Sequence, residues 1–348
     1  MYMMSTRDLL TYKGIEGQGY INGTYSFLNI FQLFKECPSE VTIFIHGWGN
    51  NETMAKERID RLKMALEKNN YTNPLIGFSW KSDTEWNAAK SVAKWNGPIL
   101  ANFTATLMDK CKKTQTQEEE TKIRLIAHSL GARVVLSSLD SLQKNPIWSK
   151  SNYNITSVDF LGAAVDDEEI TKNPQDVLND FTNWGTLKAD YGNAIEKEVI
   201  SFNNYYNPSD KILGPNSTFP YSPFQIYPSF EGDLALGFNG SQNIPKITLP
   251  KNYNQVNIEN EIEAINNTDA IAGEDFGLCS PFGDQFYCKI KDEGWDYGLC
   301  DFINRSCHID IGYNHAGYLG YRNLTDISKL VGDGAIDIVV NNWNYTAS

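Results

Sequence analysis

No stretch of the chain approaches the twenty or so apolar residues that a membrane-spanning helix needs. Residues 1–10 (MYMMSTRDLL) lack the charged, apolar and small-residue zones of a secretory leader. Basic residues are scarce: 30 Lys and Arg stand against 43 Asp and Glu, a formal charge of −13. A surplus of that sign repels phosphate backbones and anionic bilayers, which excludes nucleic acid as a partner. C-x-x-C pairs are missing altogether. Six cysteines without such pairs, four of them crowded at Cys279, Cys288, Cys300 and Cys307, point to disulfides rather than to zinc. Histidine is rare as well, with only His46, His128, His308 and His315 in the chain, so any general base can be sought by elimination.

What is present is a core-forming composition, with 41% hydrophobic and 12% aromatic residues over 348 positions. That is enough for one large α/β domain with an inserted segment. The most informative stretch is residues 123–139. It opens with β-type apolar residues (Ile123, Leu125, Ile126) and continues with Leu130, Val134, Val135 and Leu139 at roughly helical spacing. Between strand and helix lies Ala127-His128-Ser129-Leu130-Gly131. A serine on so sharp a turn stands clear of the sheet, and its flanks must be small because two backbones nearly touch there. The turn also aims the Leu130 N–H and the start of a helix dipole at the place where an oxyanion would form. Ser129 is therefore read as a nucleophile.

Along the chain, apolar strands are expected at 41–45, 74–80, 123–127, 155–165 and 198–206. Helices are expected at 53–69, capped by Thr53, and at about 84–113, interrupted at Gly97-Pro98. Strands alternating with helices predict a mostly parallel sheet covered on both faces. In such sheets the chemistry collects at the carboxyl ends of the strands. Residues 46–49 (HGWG), Ser129, Asp166, Asp167 and Asp210 all fall there. Residues 1–40 read as an N-terminal extension and 41–348 as the main domain. Within it, about 212–311 reads as an irregular, disulfide-stapled insertion of cap or lid type, with one short strand at 234–238. Phe219, Tyr221, Phe224, Tyr227 and Phe230 in that insertion are candidates to line an acyl pocket. A closing helix is expected from Asp326 on.

A serine needs a base, and the base needs a carboxylate to fix its tautomer. His46 belongs to the turn after the first strong strand and is expected to buttress it. His128 adjoins Ser129 and should point to the other side. His315 lies in a Gly-bracketed loop before the last helix and is the favoured base, with His308 as the alternate. Asp210, on a turn that ends a strand, is the favoured acid; Asp166 and Asp167 are the alternates. The order Ser, Asp, His is the one this architecture uses. No metal site and no cofactor are called for.

Together, 46–49 (HGWG), 127–132 (AHSLGA), 207–213 (NPSDKIL) and 314–318 (NHAGY) resemble the α/β-hydrolase superfamily. More narrowly they resemble a bacterial and archaeal serine-hydrolase branch with lipase-like HG-x and AHS-[LM]-G signatures. The resemblance covers about residues 41–213 and the His315 loop. It implies an α/β-hydrolase fold, an oxyanion hole made by the N–H groups of Leu130 and Trp48, and cleavage of a small-molecule or lipid carboxylic ester through an acyl-enzyme. The competing reading is a non-catalytic extracellular or surface binding protein on a hydrolase scaffold, motivated by the stapled insertion and by eleven Asn-x-Ser/Thr acceptors between Asn22 and Asn344. Cysteine usage favours an extracellular or cell-surface setting, with a leader absent from this numbering. A cytoplasmic setting is the alternative.

Overall fold

The computed structural model describes residues 2–7, 10–12, 19–21, 26–28, 33, 35, 37–114, 121–173, 190–210, 212–214, 235–262, 265–267, 277–282, 285–289, 297–301, 306–309, 315, 317–322 and 329–344. Within these, 10–12, 19–21, 26–28, 265–309, 321–322 and 331 are described by backbone alone. The expected aromatic lining at Phe219, Tyr221, Phe224, Tyr227 and Phe230 lies outside the described residues, as do the side chains of the four clustered cysteines and of His308.

The strands expected at 41–45, 74–80, 123–127, 155–165 and 198–206 are present, among the ten strands described up to residue 257. In chain order they are β1 (Tyr2–Ser5), the hairpin strands β2 (Leu10–Tyr12) and β3 (Gly19–Ile21), β4 (Ser26–Leu28), β5 (Glu40–Ile45), β6 (Leu75–Ser79), β7 (Lys122–His128), β8 (Ile155–Leu161), β9 (Val199–Tyr206) and β10 (Tyr253–Asn257). Eight of them form one sheet in the order β10-β9-β8-β7-β5-β6-β1-β4. All its neighbours are parallel except the edge pair β1 and β4. The first strand thus lies inside the sheet, and β10 extends the sheet at its far edge. A separate antiparallel sheet is made by β11 (Ile265–Asn267), β12 (Gly277–Phe282), β13 (Gln285–Lys289), β14 (Tyr297–Asp301) and β15 (Ser306–Ile309). A two-stranded pair, β16 (Tyr321–Arg322) and β17 (Leu330–Gly332), follows.

The central strands alternate between two cores, as a sheet buried on both faces must. Val41, Ile43, Ile45, Leu125 and Ala127 face the helices α2 (Trp86–Thr114) and α3 (Gly131–Lys144). Phe44 and Ile126 face α1 (Glu52–Lys68) and the closing helix α7 (Ile336–Asn342). The shorter helices α4 (Pro146–Ser151), α5 (Gly192–Glu198) and α6 (Leu236–Asn239) complete the set. After β5 the chain crosses to β6, and after β7 it crosses the other way to β8. The loops leaving β5 and β7 therefore part, and the crevice between them is the topological switch point where such sheets bind ligands.

Several local expectations are corrected. The cap of α1 is Asn51, whose side chain accepts the Met54 N–H at 2.9 Å, and not Thr53. Helix α2 runs through Gly97-Pro98 unbroken. Pro98 has no N–H for the carbonyl of Lys94 one turn back. Ser137 of α3 supplies the missing donor, its Oγ lying 2.7 Å from Lys94 O. Gly97 makes the approach possible, since a Cβ there would stand 2.4 Å from Ser137 Cβ. The strand expected at 234–238 is a single bridge, Ala235 to Asp166, followed by the short α6. The closing helix begins only at Ile336, because β17 and the left-handed Gly334 (φ 59°) precede it.

Candidate active site

Ser129 follows directly on β7 and takes a left-handed φ of 54°. For a residue with a side chain that conformation costs of order 1–2 kcal/mol, so the surroundings must hold it. They do: its N–H donates to Leu161 O at 3.1 Å, and its carbonyl accepts from Ala132 N (3.1 Å) and Ala164 N (3.2 Å). Gly131 opens α3 against the end of β5, where a Cβ would meet Ile45 O at 2.4 Å and His46 O at 2.8 Å. Ala127, by contrast, still belongs to β7 and packs its methyl into the core under α2 and α3, so alanine serves there. Leu130 occupies the N-cap position of α3, a 14-residue helix whose dipole points at the turn.

The loop after β5 lies against this serine. A Cβ on Gly47 would fall 2.6 Å from Ser129 Cβ and 3.1 Å from its Oγ. His46 is fully enclosed and does the buttressing expected of it. Its Nδ1–H donates to Gly47 O at 2.9 Å, its Nε2 accepts the Trp80 N–H at 3.2 Å, and its ring stacks on Trp80. Burial above all, with Arg7 nearby, drives its pKa down to about 3. Trp48 ties its indole N–H to Thr84 O at 2.7 Å and packs edge-on against Trp86.

Of the expected base and acid, the structure brings His315 and Asp210 into contact, with Nδ1 and Oδ2 2.6 Å apart. Asp210 is buried, and every lone-pair direction of its carboxylate is used. Oδ1 accepts from Ile212 N (2.9 Å) and Leu213 N (3.2 Å), and Oδ2 also accepts the Tyr318 hydroxyl at 3.0 Å. Such a carboxylate takes its proton donor from the imidazole, which leaves Nε2 of His315 as the acceptor. That Nε2 is sealed from solvent and has no hydrogen-bond partner among the described residues. Ser129 Oγ is accordingly not bonded to it. The two residues meet through His128, the neighbour of Ser129.

The part played by His128 was not legible in the sequence. Its Nε2–H donates to the His315 carbonyl at 2.8 Å, and its ring packs 4.7 Å from that of His315 and 5.9 Å from that of Tyr318. Burial first, then the adjacent His315, holds its pKa well below the ordinary histidine value, so it stays a neutral donor. The signal available was its side of the strand, since it faces α1 and α7 with Ile126. Tyr318 is sealed beside it, and burial followed by Asp210 pushes its phenol well above the usual range.

The alternate acids Asp166 and Asp167 lie on the loop after β8. There the Asp166 N–H donates to Glu169 Oε2 at 3.4 Å, and Glu169 pairs bidentately with Arg133 of α3 at 3.0 and 2.8 Å. That buried pair ties the β8 loop to the helix that begins beside Ser129. No group of residues suited to hold a metal ion is found among the described residues, and no helix among them is long and apolar enough to cross a membrane.

A mostly parallel open sheet with a left-handed serine at its switch point, and a His–Asp pair on the loop bonded to the neighbouring His128, has the layout of an α/β hydrolase. The chain belongs to an alpha/beta hydrolase family of unknown function (DUF900), whose model matches residues 28–215. No curated protein matches it. Among solved structures it is similar to a lipase-esterase related protein from Clostridium acetobutylicum, 21% identical over 37% of this chain and 44% of that one, with a TM-score of 0.20. It is also similar to phospholipase PlaB from Legionella pneumophila (12%, covering 53% and 42%, TM-score 0.28). A third is a cutinase-like protein from Cryptococcus sp. (15%, covering 58% and 92%, TM-score 0.28). The chain spans less than half the length of the first two.

Proposed function

We propose that this chain is a serine hydrolase that cleaves a carboxylic ester of a small molecule or lipid, the substrate class of the lipase-like enzymes its HG-x and AHS-L-G signatures resemble. Ser129 Oγ gives its proton to His315 Nε2 and attacks the carbonyl carbon. The oxyanion is held by the N–H groups of Leu130 and Trp48, and Asp210 balances the imidazolium. The alcohol leaves with the proton from His315. A water then gives its proton to the same Nε2 and releases the acid. The observation that carries this reading is the 2.6 Å contact between Asp210 and His315 Nδ1, which leaves an unpartnered, buried Nε2 on a loop held by the neighbour of Ser129. Unbonded triad members are common in unliganded sites and tighten on substrate. The disulfide Cys37–Cys111 supports placing the protein in an oxidising compartment, outside the cytoplasm. The β11–β15 sheet is proposed to belong to a cap.

The test is hydrolysis of p-nitrophenyl esters of graded acyl length. Wild type should turn over at least one of them, while Ser129→Ala and His315→Ala should lose at least about a thousandfold in kcat. A folded wild type that cleaves none would favour a binding protein on a hydrolase scaffold.

A further inference from the structure

The loop after β5 carries a device that the triad does not require. We infer that Asn50, with Arg7 behind it, is a positioning residue that aims the Trp48 N–H at the oxyanion. This rests on the reading of Ser129 and Trp48 given above.

The argument begins with the peptide plane. In a trans peptide the carbonyl of one residue and the N–H of the next point in opposite directions. Gly47 O and Trp48 N–H belong to one such unit, so whatever holds the carbonyl sets the aim of the N–H. Gly47 O is held twice, by His46 Nδ1–H at 2.9 Å and by Asn50 Nδ2–H at 3.0 Å. The second N–H of the same amide takes Trp48 O, also at 3.0 Å. A side-chain amide has two donors on one nitrogen, and here both are spent on successive carbonyls of this loop.

The neighbouring N–H groups are accounted for differently. Gly49 N–H donates to Ser82 O at 3.0 Å and Asn50 N–H to Ser82 Oγ at 3.1 Å. Among the described residues the Trp48 N–H finds no protein acceptor. Of three consecutive amides, the two beyond the serine are tied down, and the one beside it is aimed and left open. Two hydrogen bonds at Gly47 O also polarise the shared peptide, which strengthens its N–H as a donor.

Asn50 is itself fixed from behind. Its carbonyl accepts from Arg7 Nη2 at 2.7 Å and from Ser82 Oγ at 3.0 Å. Arg7 is clamped in turn by Ser79 Oγ (2.8 Å) at the end of β6 and by Asp83 (3.3 Å). Arg7 follows β1 and lies outside the segment the family model matches, so this chain reaches the loop from its own first strand. The Asn50 Oδ1 is buried and unpartnered among the described residues. An orphaned acceptor of that kind is costly. It is tolerated because the opposite amide orientation would set an oxygen against two carbonyls.

The experiment uses the full chain with Asn50→Asp, Asn50→Ala and Arg7→Met. The first is nearly isosteric and turns a donor into a carboxylate facing two carbonyls. For each, kcat and KM on a p-nitrophenyl ester are measured beside the Ki of an alkyl trifluoromethyl ketone, which forms the tetrahedral oxyanion on the serine. The expected result is a fall in kcat of about 10- to 100-fold for the Asn50 variants, a fraction of the loss from deleting a whole oxyanion donor. KM should stay within about twofold, and Ki should rise by the same factor as kcat/KM falls. Arg7→Met should follow the same line with a loss of about 3- to 10-fold. Folded Asn50 variants with wild-type kcat would overturn the inference. So would losses of kcat that Ki does not track, which would mark a merely structural residue. A wild type that neither cleaves esters nor binds the ketone would overturn the Ser129 reading itself, and is thereby told apart.

Discussion

Three of the four histidines lie together, with His128 beside Ser129 and near both His315 and His46, and their surroundings give them different work. His46 and His128 are shut away from water as neutral rings, each with one nitrogen committed to a backbone carbonyl. His315, bonded at Nδ1 to Asp210, keeps a buried Nε2 with no partner among the described residues. The two sealed rings also make the fold sensitive to acid. The His46 pKa lies at about 3 and that of His128 well below 6.5, whereas both titrate near 6.5 in the unfolded chain. Below pH 6.5 the unfolded state therefore takes up protons that the folded state refuses, and stability falls as the pH falls. Between pH 7 and 5 the His46 ring is expected to cost about 2 kcal/mol, and His128 adds to the loss in the same direction. Urea unfolding across that window should show the loss, and His128→Gln, which keeps an N–H for the His315 carbonyl, should show a smaller one. Equal slopes in wild type and variant would contradict this account. At this scale the sequence was informative wherever the chemistry restricts the residue type. The contact between Asp210 and His315 could be expected because few side chains suit a base and its carboxylate. The part of His128 could not, because its use depends on a loop 187 positions away that the strand alone cannot reveal.

At the scale of the elements, strands were easier to find than the ends and breaks of helices. β5, β7 and β9 stand within a residue or two of their expected bounds, and for β5 the reason is that a strand buried on both faces reads as a nearly continuous apolar run. Pro98 misled for a physical reason: the rule that proline breaks a helix assumes that the freed carbonyl has no other donor. Ser137 supplies one from the facing helix. Ser137→Ala should remove the hydrogen bond to Lys94 O and cost about 1–2 kcal/mol in chemical denaturation. Adding Pro98→Ala, which restores the N–H, should recover most of that cost. Equal costs in both backgrounds would show that the serine does not stand in for the missing donor. The cap of α1 moved for a similar reason, since Asn51 and Thr53 are both good caps and only the turn geometry chooses between them.

The whole molecule is closed by contacts that join distant parts of the chain. On the α1 and α7 face, Arg124 of β7 pairs with Glu40 of β5, and its guanidinium lies 4.6 Å from the Trp343 ring just after α7. The Trp343 indole donates to Asp159 of β8 at 2.9 Å. On the other face, Cys37 before β5 is bonded to Cys111 near the end of α2, 74 residues on. Closing a loop of that length removes unfolded-chain entropy worth about 4 kcal/mol. Reduction should lower the thermal midpoint by several degrees, and a midpoint unchanged by dithiothreitol would contradict it. This pairing and the membership of β1 in the main sheet were hidden in the sequence. In the first forty residues β2 pairs with β3 and β4 with β1, and it is the long-range pairing of β1 with β6 that the local sequence does not reveal.

The central claim is that the left-handed serine after β7 is a nucleophile. It is tested most directly by treating the folded protein with a fluorophosphonate and locating the adduct by peptide mass spectrometry. The account predicts one adduct per chain, on Ser129, which forms far more slowly in His315→Ala and is absent in Ser129→Ala. A folded protein that stays unmodified, or that carries the label on another residue, would contradict it.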